Sequence, residues 1–501
     1  MEILERVNRL VWGAPMIVLI LSVGLVLTVK TGFVQLRLFP AALKCFFQNI
    51  FRKESGKRGV SSFQALCTAL AATVGTGNIA GVAGAIAIGG PGAIFWMWIC
   101  GLLGMILKYA EATLAVRYQV IGSDGQLFGG PMYMIRQGMG DKWKWLASLY
   151  CFFGVVAAFG VGNATQINAV VDGIRSAVDG VGGQWDPRYN LVLGIVLSGL
   201  VLGMLLGGAR RIGTIAEKLV PFVSVAYILM GLGVLLLRIS AVPEALRSII
   251  QGAFSPGAVT GGAVGSFFAS LRTGVSRGVF TNEAGMGTAA IAYGGADTDH
   301  PAKQGLMGIV EVFVDTMVIC TITSLVILCS DSSLSFGLDE GAAITARAFS
   351  SVYGRWASVL LAFFLSCFAF ATLLGWGLYG TRCAQFLFGN GAWKPFAYIQ
   401  AAVSLFTAMI HTGTVWMLAE TVNGLMAVPN LIALAVLCPE LICITKDYFI
   451  QFGRNSAGGG TYESFYQCKP LRTFSHEKIP SACGGGRAPG KENPSPEHRS
   501  A

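Results

Sequence analysis

Charged residues are scarce in this chain. Asp, Glu, Lys and Arg make up 12% of its 501 residues and hydrophobic residues 54%, whereas soluble domains carry about 25% charged residues. Charge-free stretches at 12–29, 191–209 and 219–237 approach the roughly 20 residues that cross a bilayer as a helix. The composition excludes an ordinary soluble protein and indicates a multi-pass protein of the lipid bilayer.

Residues that usually carry catalysis are also few. The chain has four histidines, and no metal-ligand or nucleophile constellation accompanies them, so we predict neither an enzyme nor a cofactor. A channel is disfavoured because there is no repeated filter sequence or charged ring. Cysteines in apolar segments lie singly, which is typical of reduced packing residues rather than of disulfides or metal ligands. These are Cys67, Cys100, Cys151, Cys320, Cys329 and Cys367.

The net charge of +10 does not indicate a nucleic-acid partner, because the cations lie between and after the apolar segments. Lys and Arg concentrate in 30–60, 117–145 and 208–218 and in the C-terminal tail. Since cytoplasmic loops are enriched in Lys and Arg, this distribution predicts an outside N-terminus and a cytoplasmic C-terminus. The expected location is the plasma membrane, for a bacterium its cytoplasmic membrane.

The apolar segments predict an all-α protein with about eleven transmembrane helices. Setting the first aside leaves five plus five, and an odd number per half forces the halves into opposite orientations, an inverted repeat. The predicted units are 1–62 (first helix and basic loop), 63–237 and 238–445 (the repeats) and 446–501 (a disordered cytoplasmic tail). The predicted spans are 12–30, 63–88, 91–117, 146–171, 190–208, 214–237, 260–289, 304–330, 356–385, 395–411 and 418–443.

Glycine-rich breaks open each predicted repeat. They are VGTGNIAGVAGAI at 74–86 and TGVSRGVFTNEAGMG at 273–287. Irregular backbone at membrane depth persists only inside protein or beside a wet cavity, and such paired breaks are typical of a transporter's binding site. We therefore expect the ligand site where the two broken helices meet.

The first break places polar side chains between glycines, at Gly75, Thr76, Gly77 and Asn78. An unwound segment here frees N–H groups that suit a carboxylate, and Thr73, Thr76 and Asn78 add oxygen atoms of the kind that sodium requires. The alternative is close helix packing at the small residues.

Other segments offer further contacts. In the second break, Arg277 and Glu283 are charged, which makes them functional candidates, although we favour a structural role in which they pair or cap a helix end. Apolar wall candidates share helical faces four positions apart, with packing as the alternative. The pocket and gating candidates are Gln166, Phe267, Leu271, Gly274, Asn282, Thr372, Gly375 and Trp376.

Several ordered stretches resemble the alanine or glycine:cation symporter family, the sodium:alanine symporters. They are GTGNIAGVAGAIAIGGPGAIFWMWICGLLGM, KYAEATLAVRY, GGPMYMI and GVSRGVFTNEAGMGTAAIA, and the likeness runs from about Asn8 to Tyr448. The resemblance implies sodium-driven uptake of a small neutral amino acid, alanine or glycine. The wider resemblance is to amino acid–polyamine–organocation transporters with the leucine-transporter fold.

That wider resemblance also implies ligands. Backbone at Gly75, Thr76 and Gly77 would hold the substrate carboxylate, and Thr73 and Asn78 would lie beside one sodium. A second sodium would join the first helix to the eighth, where one of two expected hydroxyl positions is occupied by Ala371. The implied ligands of this second site are Ala71, Val74, Phe368, Ala371 and Thr372.

Proton coupling is the alternative to sodium coupling. Glu111, Glu311 and Asp315 are intramembrane carboxylates and therefore candidate proton carriers. The sequence leaves the oligomeric state open.

Overall fold

A computed structural model describes residues 6–8, 11–51, 59–122, 125–262, 264, 266–330, 336–337, 341–410 and 413–455. This part of the chain is almost entirely helical. A short antiparallel hairpin, β1 (Val120–Ile121) and β2 (Leu127–Phe128), pairs Val120 with Phe128. The predicted all-α class is confirmed.

The N-terminal half begins with an apolar helix and two short helices, and continues through the first break. Helix α4 starts at a capping box in which the Ser61 side chain accepts from Gln64 N–H and the Gln64 side chain accepts from Ser61 N–H. The helices up to the second break are α1 (Ala14–Lys30), α2 (Val34–Arg37), α3 (Phe39–Phe51), α4 (Ser62–Thr73), α5 (Val82–Gly89), α6 (Gly92–Arg117), α7 (Pro131–Tyr133), α8 (Lys144–Phe159), α9 (Thr165–Gly180), α10 (Arg188–Leu205), α11 (Gly208–Leu237), α12 (Val242–Phe254), α13 (Pro256–Val259) and α14 (Phe267–Asn282).

The C-terminal half continues after the second break. Its helices are α15 (Thr288–Tyr293), α16 (Pro301–Val312), α17 (Thr321–Leu328), α18 (Ala342–Tyr353), α19 (Trp356–Phe388), α20 (Trp393–Thr407), α21 (Gly413–Val436) and α22 (Cys438–Asn455). Wider π-helical turns bridge several of these helices, at Gly77–Gly81, Met134–Met139, Gly160–Ala164 and Phe313–Cys320. Single 3₁₀ turns lie at Asp141–Trp143, Ile239–Ala241 and Asn390–Ala392.

Six helices of the described chain are long and apolar enough to cross a membrane, and eight if each bent pair counts as one span. The predicted number of eleven is not confirmed on this basis. The short helices Phe267–Asn282 and Trp393–Thr407 account for part of the difference, because the first lies within predicted span 260–289 and the second overlaps predicted span 395–411. The six spans are Gly92–Arg117, Asp141–Asp179, Arg188–Leu205, Gly208–Leu237, Pro301–Leu328 and Trp356–Phe388.

Two boundaries differ from those expected. Residues 34–51, predicted as part of a basic loop, form α2 and α3, and α22 continues to Asn455, past the boundary at 446. The rest of the predicted tail, 456–501, lies outside the described residues. The six singly placed cysteines are free thiols, as predicted.

The helices pack so that both breaks lie in the core. Helix α6 packs against α14 and α16, while α19 packs against α4, α8 and α9. Glycine permits the closest approaches: a Cβ at Gly92 would lie 2.1 Å from backbone atoms of Gly252. The sequence at the helix crossings thus fixes where the broken segments meet their neighbours.

Candidate functional site

The first break separates α4 from the following π-helical turn. Helix α4 ends at Thr73, and the chain resumes at Gly77 with a bend of 50°. Gly75 N–H donates to Asn78 Oδ1 over 2.8 Å; the chain is unwound at Val74 and Gly75, whereas Gly77 and Asn78, also predicted to be unwound, lie in the π-helical turn. The side chain of Asn78 holds the break in shape.

Asn78 also connects the first break to the π-helical turn after α16. Its Nδ2 donates to Asp315 Oδ1 over 2.7 Å and to the Asp315 carbonyl over 3.2 Å. Thr316 Oγ1 donates to Asp315 Oδ2 over 2.8 Å, and Asn282 Nδ2 donates to Thr316 Oγ1 over 3.2 Å. These four side chains are fully buried and form a polar path from the first break to the second.

The second break is built from left-handed residues. Glu283 ends α14 at φ 52°, and Gly285 and Gly287 follow at φ 91° and φ 76°, conformations that glycine adopts without steric cost. Glu283 accepts at Oε2 from Thr288 Oγ1 over 2.7 Å and at Oε1 from Trp376 Nε1 over 2.9 Å. Two structural roles were expected for Glu283, pairing with Arg277 or capping a helix end. Glu283 has the second role, as the C-terminal cap of α14.

Helix α19 crosses the first break at Thr372. A Cβ at Gly75 would lie 2.7 Å from Thr372 Oγ1, and a Cβ at Gly375 would lie 2.8 Å from the Ala72 Cβ. Thr372 Oγ1 donates to the Phe368 carbonyl over 3.1 Å. The two elements predicted to share a second sodium therefore meet, and their remaining members Ala71, Val74 and Ala371 are buried.

A cavity of about 460 Å³ lies against the first break. Thr76 and Phe280 line it from the two broken helices, and Arg277 lies one turn before Phe280. Among the predicted site residues, Thr76 and Arg277 are the two in its lining. The remaining walls come from α9, α18 and α19, through Asn168, Ala169, Asp172, Gly173, Ser176, Ala342, Ala343, Ala346, Ser358, Leu361, Ala362 and Leu365.

Gln166 carries an unsatisfied buried acceptor. Its Nε2 donates to the Val161 carbonyl over 3.2 Å, but its Oε1 is buried and has no hydrogen-bond partner. Ala169 and Gly173, three and seven positions further along α9, line the cavity and share a helical face with Gln166. Buried polar atoms are nearly always hydrogen-bonded. Gln166 Oε1 is an exception, because it lacks a donor.

Trp376 is fully buried and does not line the cavity. A Cβ at Gly162 would lie against the Trp376 Cβ, so the π-helical turn Gly160–Ala164 and α19 lie in close contact there. The indole N–H is taken by Glu283. The substrate contact predicted for Trp376 stays a prediction.

The predicted residues of outer α14 pack against α6 instead of facing the cavity. The Phe267 ring meets Trp96 edge to face with centroids 5.4 Å apart, and a Cβ at Gly274 would lie 2.3 Å from the Ala93 carbonyl oxygen. Leu271 is half-buried and is not in the cavity lining. The structure does not bring these three to the breaks.

A separate contact joins the segment just before α4 to the segment after α15 by main-chain hydrogen bonds. Val60 N–H donates to the Gly295 carbonyl over 3.1 Å, and Asp297 N–H donates to the Val60 carbonyl over 3.0 Å. Gln119 Nε2 donates to the carbonyls of Gly294 and Ala296 over 2.9 and 2.7 Å. We call these contacts the backbone closure.

Two residues of the site were missed from the sequence or given another role. Phe280 lies three positions after Arg277 and its ring touches Gly77, with Cδ1 3.5 Å from where a Gly77 Cβ would lie; its position just before Asn282 was the available signal. Asp315 was named only as a candidate proton carrier under the alternative of proton coupling; in the structure it is the acceptor that links the breaks.

A family model for the sodium:alanine symporter family matches residues 1–458. The sodium/alanine symporter AgcS of Methanococcus maripaludis is 41% identical over 451 residues, covering 89% of this chain and 97% of the relative. A putative sodium/proton-dependent alanine carrier protein, YrbD of Bacillus subtilis, is 33% identical, covering 89% and 92%.

Among solved structures, MhsT in complex with L-phenylalanine matches with a TM-score of 0.55 and 14% identity, covering 78% of this chain and 98% of that one. This likeness confirms the leucine-transporter-like fold. Together with the sequence matches it shows that the protein is a multi-pass membrane transporter and not an enzyme: the chain belongs to the sodium:alanine symporter family.

Proposed function

We propose that the protein is a sodium-coupled symporter that imports a small neutral amino acid, alanine or glycine, by alternating access. The observation that carries this proposal is the buried polar path from Gly75 through Asn78 and Asp315 to the second break, beside the cavity that Thr76 and Phe280 line. The names of the relatives, one a sodium/alanine symporter, support the same reading.

The substrate's two charged ends have separate partners in this arrangement. Asn78 already occupies Gly75 N–H, so the carboxylate falls to Thr76 and Gly77 at the start of the resumed helix, where partial positive charge favours an anion. The ammonium group supplies the donor that Gln166 Oε1 lacks. Phe280 forms the apolar wall on the opposite side.

Sodium binds at the oxygen atoms around the first break. Asn78 and Asp315 provide an amide and a carboxyl group there, Thr73 ends the helix before the break, and oxygen ligands suit hard cations. Hydrogen bonds from Asn78 and Thr316 hold the two Asp315 oxygens in place. The second proposed sodium lies between Ala71, Val74, Phe368, Ala371 and Thr372.

Proton coupling is the second candidate, because one relative's name includes protons as well as sodium. In either case we place the protein in the plasma membrane, the cytoplasmic membrane of a bacterium, with the N-terminus outside and the C-terminus inside. We also propose that residues 63–237 and 238–445 form the two inverted repeats.

The test is uptake of radiolabelled L-alanine into proteoliposomes, with an inward gradient of sodium or of protons alone. We expect accumulation with sodium, competition by excess glycine, and loss of at least tenfold in Asn78→Ala. Uptake driven by protons without sodium selects the second candidate. No uptake under either gradient overturns both.

Asn163→Ala is the matched control. Asn163 is also a fully buried amide, but it bonds to the Gln400 carbonyl and to Ser404 Oγ, away from both breaks. Normalised to folded protein, its sodium-driven uptake is expected to exceed that of Asn78→Ala clearly. Equal losses in the two variants contradict a specific role for Asn78.

A further inference from the structure

A second buried polar group lies beside the second break. It consists of Lys108, Glu111, Glu283 and Glu311, and we call it the charge cluster. All four side chains are buried, with exposures of 0–3%. Lys108 Nζ pairs with Glu311 Oε1 at 3.0 Å, so three carboxyl groups face a single cation.

The three carboxyl groups differ in how their oxygens are satisfied. Both oxygens of Glu311 take a donor, from Lys108 Nζ and from Tyr293 OH, and both oxygens of Glu283 take one, from Trp376 and Thr288. Each of the four carboxyl oxygens of Glu283 and Glu311 therefore accepts a hydrogen bond.

Glu111 is asymmetric. Its Oε1 accepts three hydrogen bonds, from Gly285 N–H (2.9 Å), Gly287 N–H (3.0 Å) and Asn430 Nδ2 (2.8 Å). Its Oε2 is buried without any partner, and the fully buried Asn430 leaves its own Oδ1 unpartnered as well. Two adjacent residues thus each present an acceptor that lacks a donor.

A bare carboxylate oxygen in this position is unfavourable, because burying charge without a partner is strongly destabilising. The Lys108 ammonium already lies in the cluster, and no group of three or more His, Cys, Asp or Glu among the described residues is arranged to hold a metal ion. A proton on the carboxyl group removes the charge and needs no further space.

From this geometry we propose that Glu111 is a proton-binding site, with the proton on Oε2, and that Oε1 joins the second break to α6 in both protonation states, more tightly as the carboxylate. The proton exchanges with water and leaves Glu111 as the carboxylate. Because Oε1 holds the amides of Gly285 and Gly287, the protonation state of Glu111 sets how tightly this break is bound.

The titratable groups around Glu111 come from each element packed on it. Lys108 on α6 and Glu311 on α16 interact with it electrostatically, Glu283 faces the same Lys108 from the end of α14, and the phenols of Tyr150 on α8 and Tyr379 on α19 also face it. Asn430 on α21 is uncharged.

Infrared difference spectra between neutral and alkaline pH test the site directly. The purified full-length protein is measured in a detergent without ester groups, so that the carbonyl stretch of a protonated carboxyl group is visible. We expect that band in the wild type at neutral pH, its loss in Glu111→Gln, and its retention in Glu283→Gln. A wild type without the band, or a band unchanged by Glu111→Gln, overturns the proposal.

The pH dependence of uptake is a second, separate test, and it rests on the proposed function. We expect uptake to fall as pH rises in the wild type, since the proton leaves Oε2, and we expect a flatter profile in Glu111→Gln, which keeps an uncharged group there. Identical profiles contradict the link to the second break. Because the infrared arm needs no transport, failure of the proposed function leaves it intact.

Discussion

The two helix breaks are alike in sequence but are held in opposite ways. The first, at Val74 to Gly77, is supported by the neutral amide of Asn78 and adjoins the cavity. The second, at Glu283 to Gly287, is surrounded by buried charge and left-handed backbone. Hydrogen bonds beside a cavity can be exchanged for ligand contacts, whereas the buried Lys108–Glu311 ion pair is costly to separate. The first break is thus the one suited to bind and release, and the second is the fixed partner.

The largest effect should come from Lys108→Met, which leaves the carboxylates of the second break without their cation. Removing one partner of a buried pair costs about 3–5 kcal/mol, and we expect a comparable loss in thermal unfolding of the purified protein. Lys303→Met, which removes an exposed pair with Asp299, is the control and should cost little. If Lys108→Met is as stable as the wild type, the second break is not held by buried charge and the contrast between the two breaks is wrong.

Trp376→Phe should come next, because it deletes the donor to Glu283 Oε1 while keeping an aromatic ring. A hydrogen bond to a charged group contributes about 1.5–3 kcal/mol, measurable as a lower unfolding temperature. The exposed Trp356 supplies the matched control, Trp356→Phe. Equal stabilities of the two variants count against the bond to Glu283.

At the first break, Gly75→Ala and Gly81→Ala form a pair. A Cβ at Gly75 would lie 2.7 Å from Thr372 Oγ1, whereas one at Gly81 would lie 3.8 Å from Thr281 Cγ2, an ordinary contact. Overpacking costs about 1–3 kcal/mol, so we expect reduced stability in Gly75→Ala alone. If both variants behave alike, the crossing with α19 is not what restricts this position.

The smallest effect should follow from Thr345→Val. Thr345 Oγ1 donates to the Ile79 carbonyl over 3.0 Å and so ties α18 to the first break. Losing one neutral hydrogen bond costs about 0.5–1.5 kcal/mol. Thr407→Val is the control, because Thr407 bonds to Val403 within its own helix, and a larger effect there than at Thr345 contradicts the proposed tie.

The positions of the breaks follow from sequence because glycine clusters in apolar helices are a local signal. Gly75 and Glu283 lie in broken segments, as predicted for that reason, and Asn78 lies just after the first one. The partners were not predictable: Asp315 meets Asn78, and Trp376 meets Glu283, across 237 and 93 positions of chain. Such pairings depend on how whole helices cross, which no local pattern encodes.

The same limit explains the outer part of α14. Phe267 and Leu271 do share a helical face, as their spacing predicts, but that spacing does not say which neighbour the face meets. Glycine at 274 decides it, because the missing side chain lets α14 approach the carbonyl of Ala93. Phe280 lines the cavity in place of Phe267 and Leu271. It is the phenylalanine of the glycine-rich stretch at 273–287.

The backbone closure has a consequence for how readily that region separates. Its four hydrogen bonds, from Val60, Asp297 and Gln119, all end on main-chain carbonyls, and water can replace each of them. A typical bond of this kind contributes only about 0.5–1.5 kcal/mol net. Four of them therefore contribute only a few kcal/mol to the joined arrangement, in addition to the close backbone packing of Gly129 against Gly294.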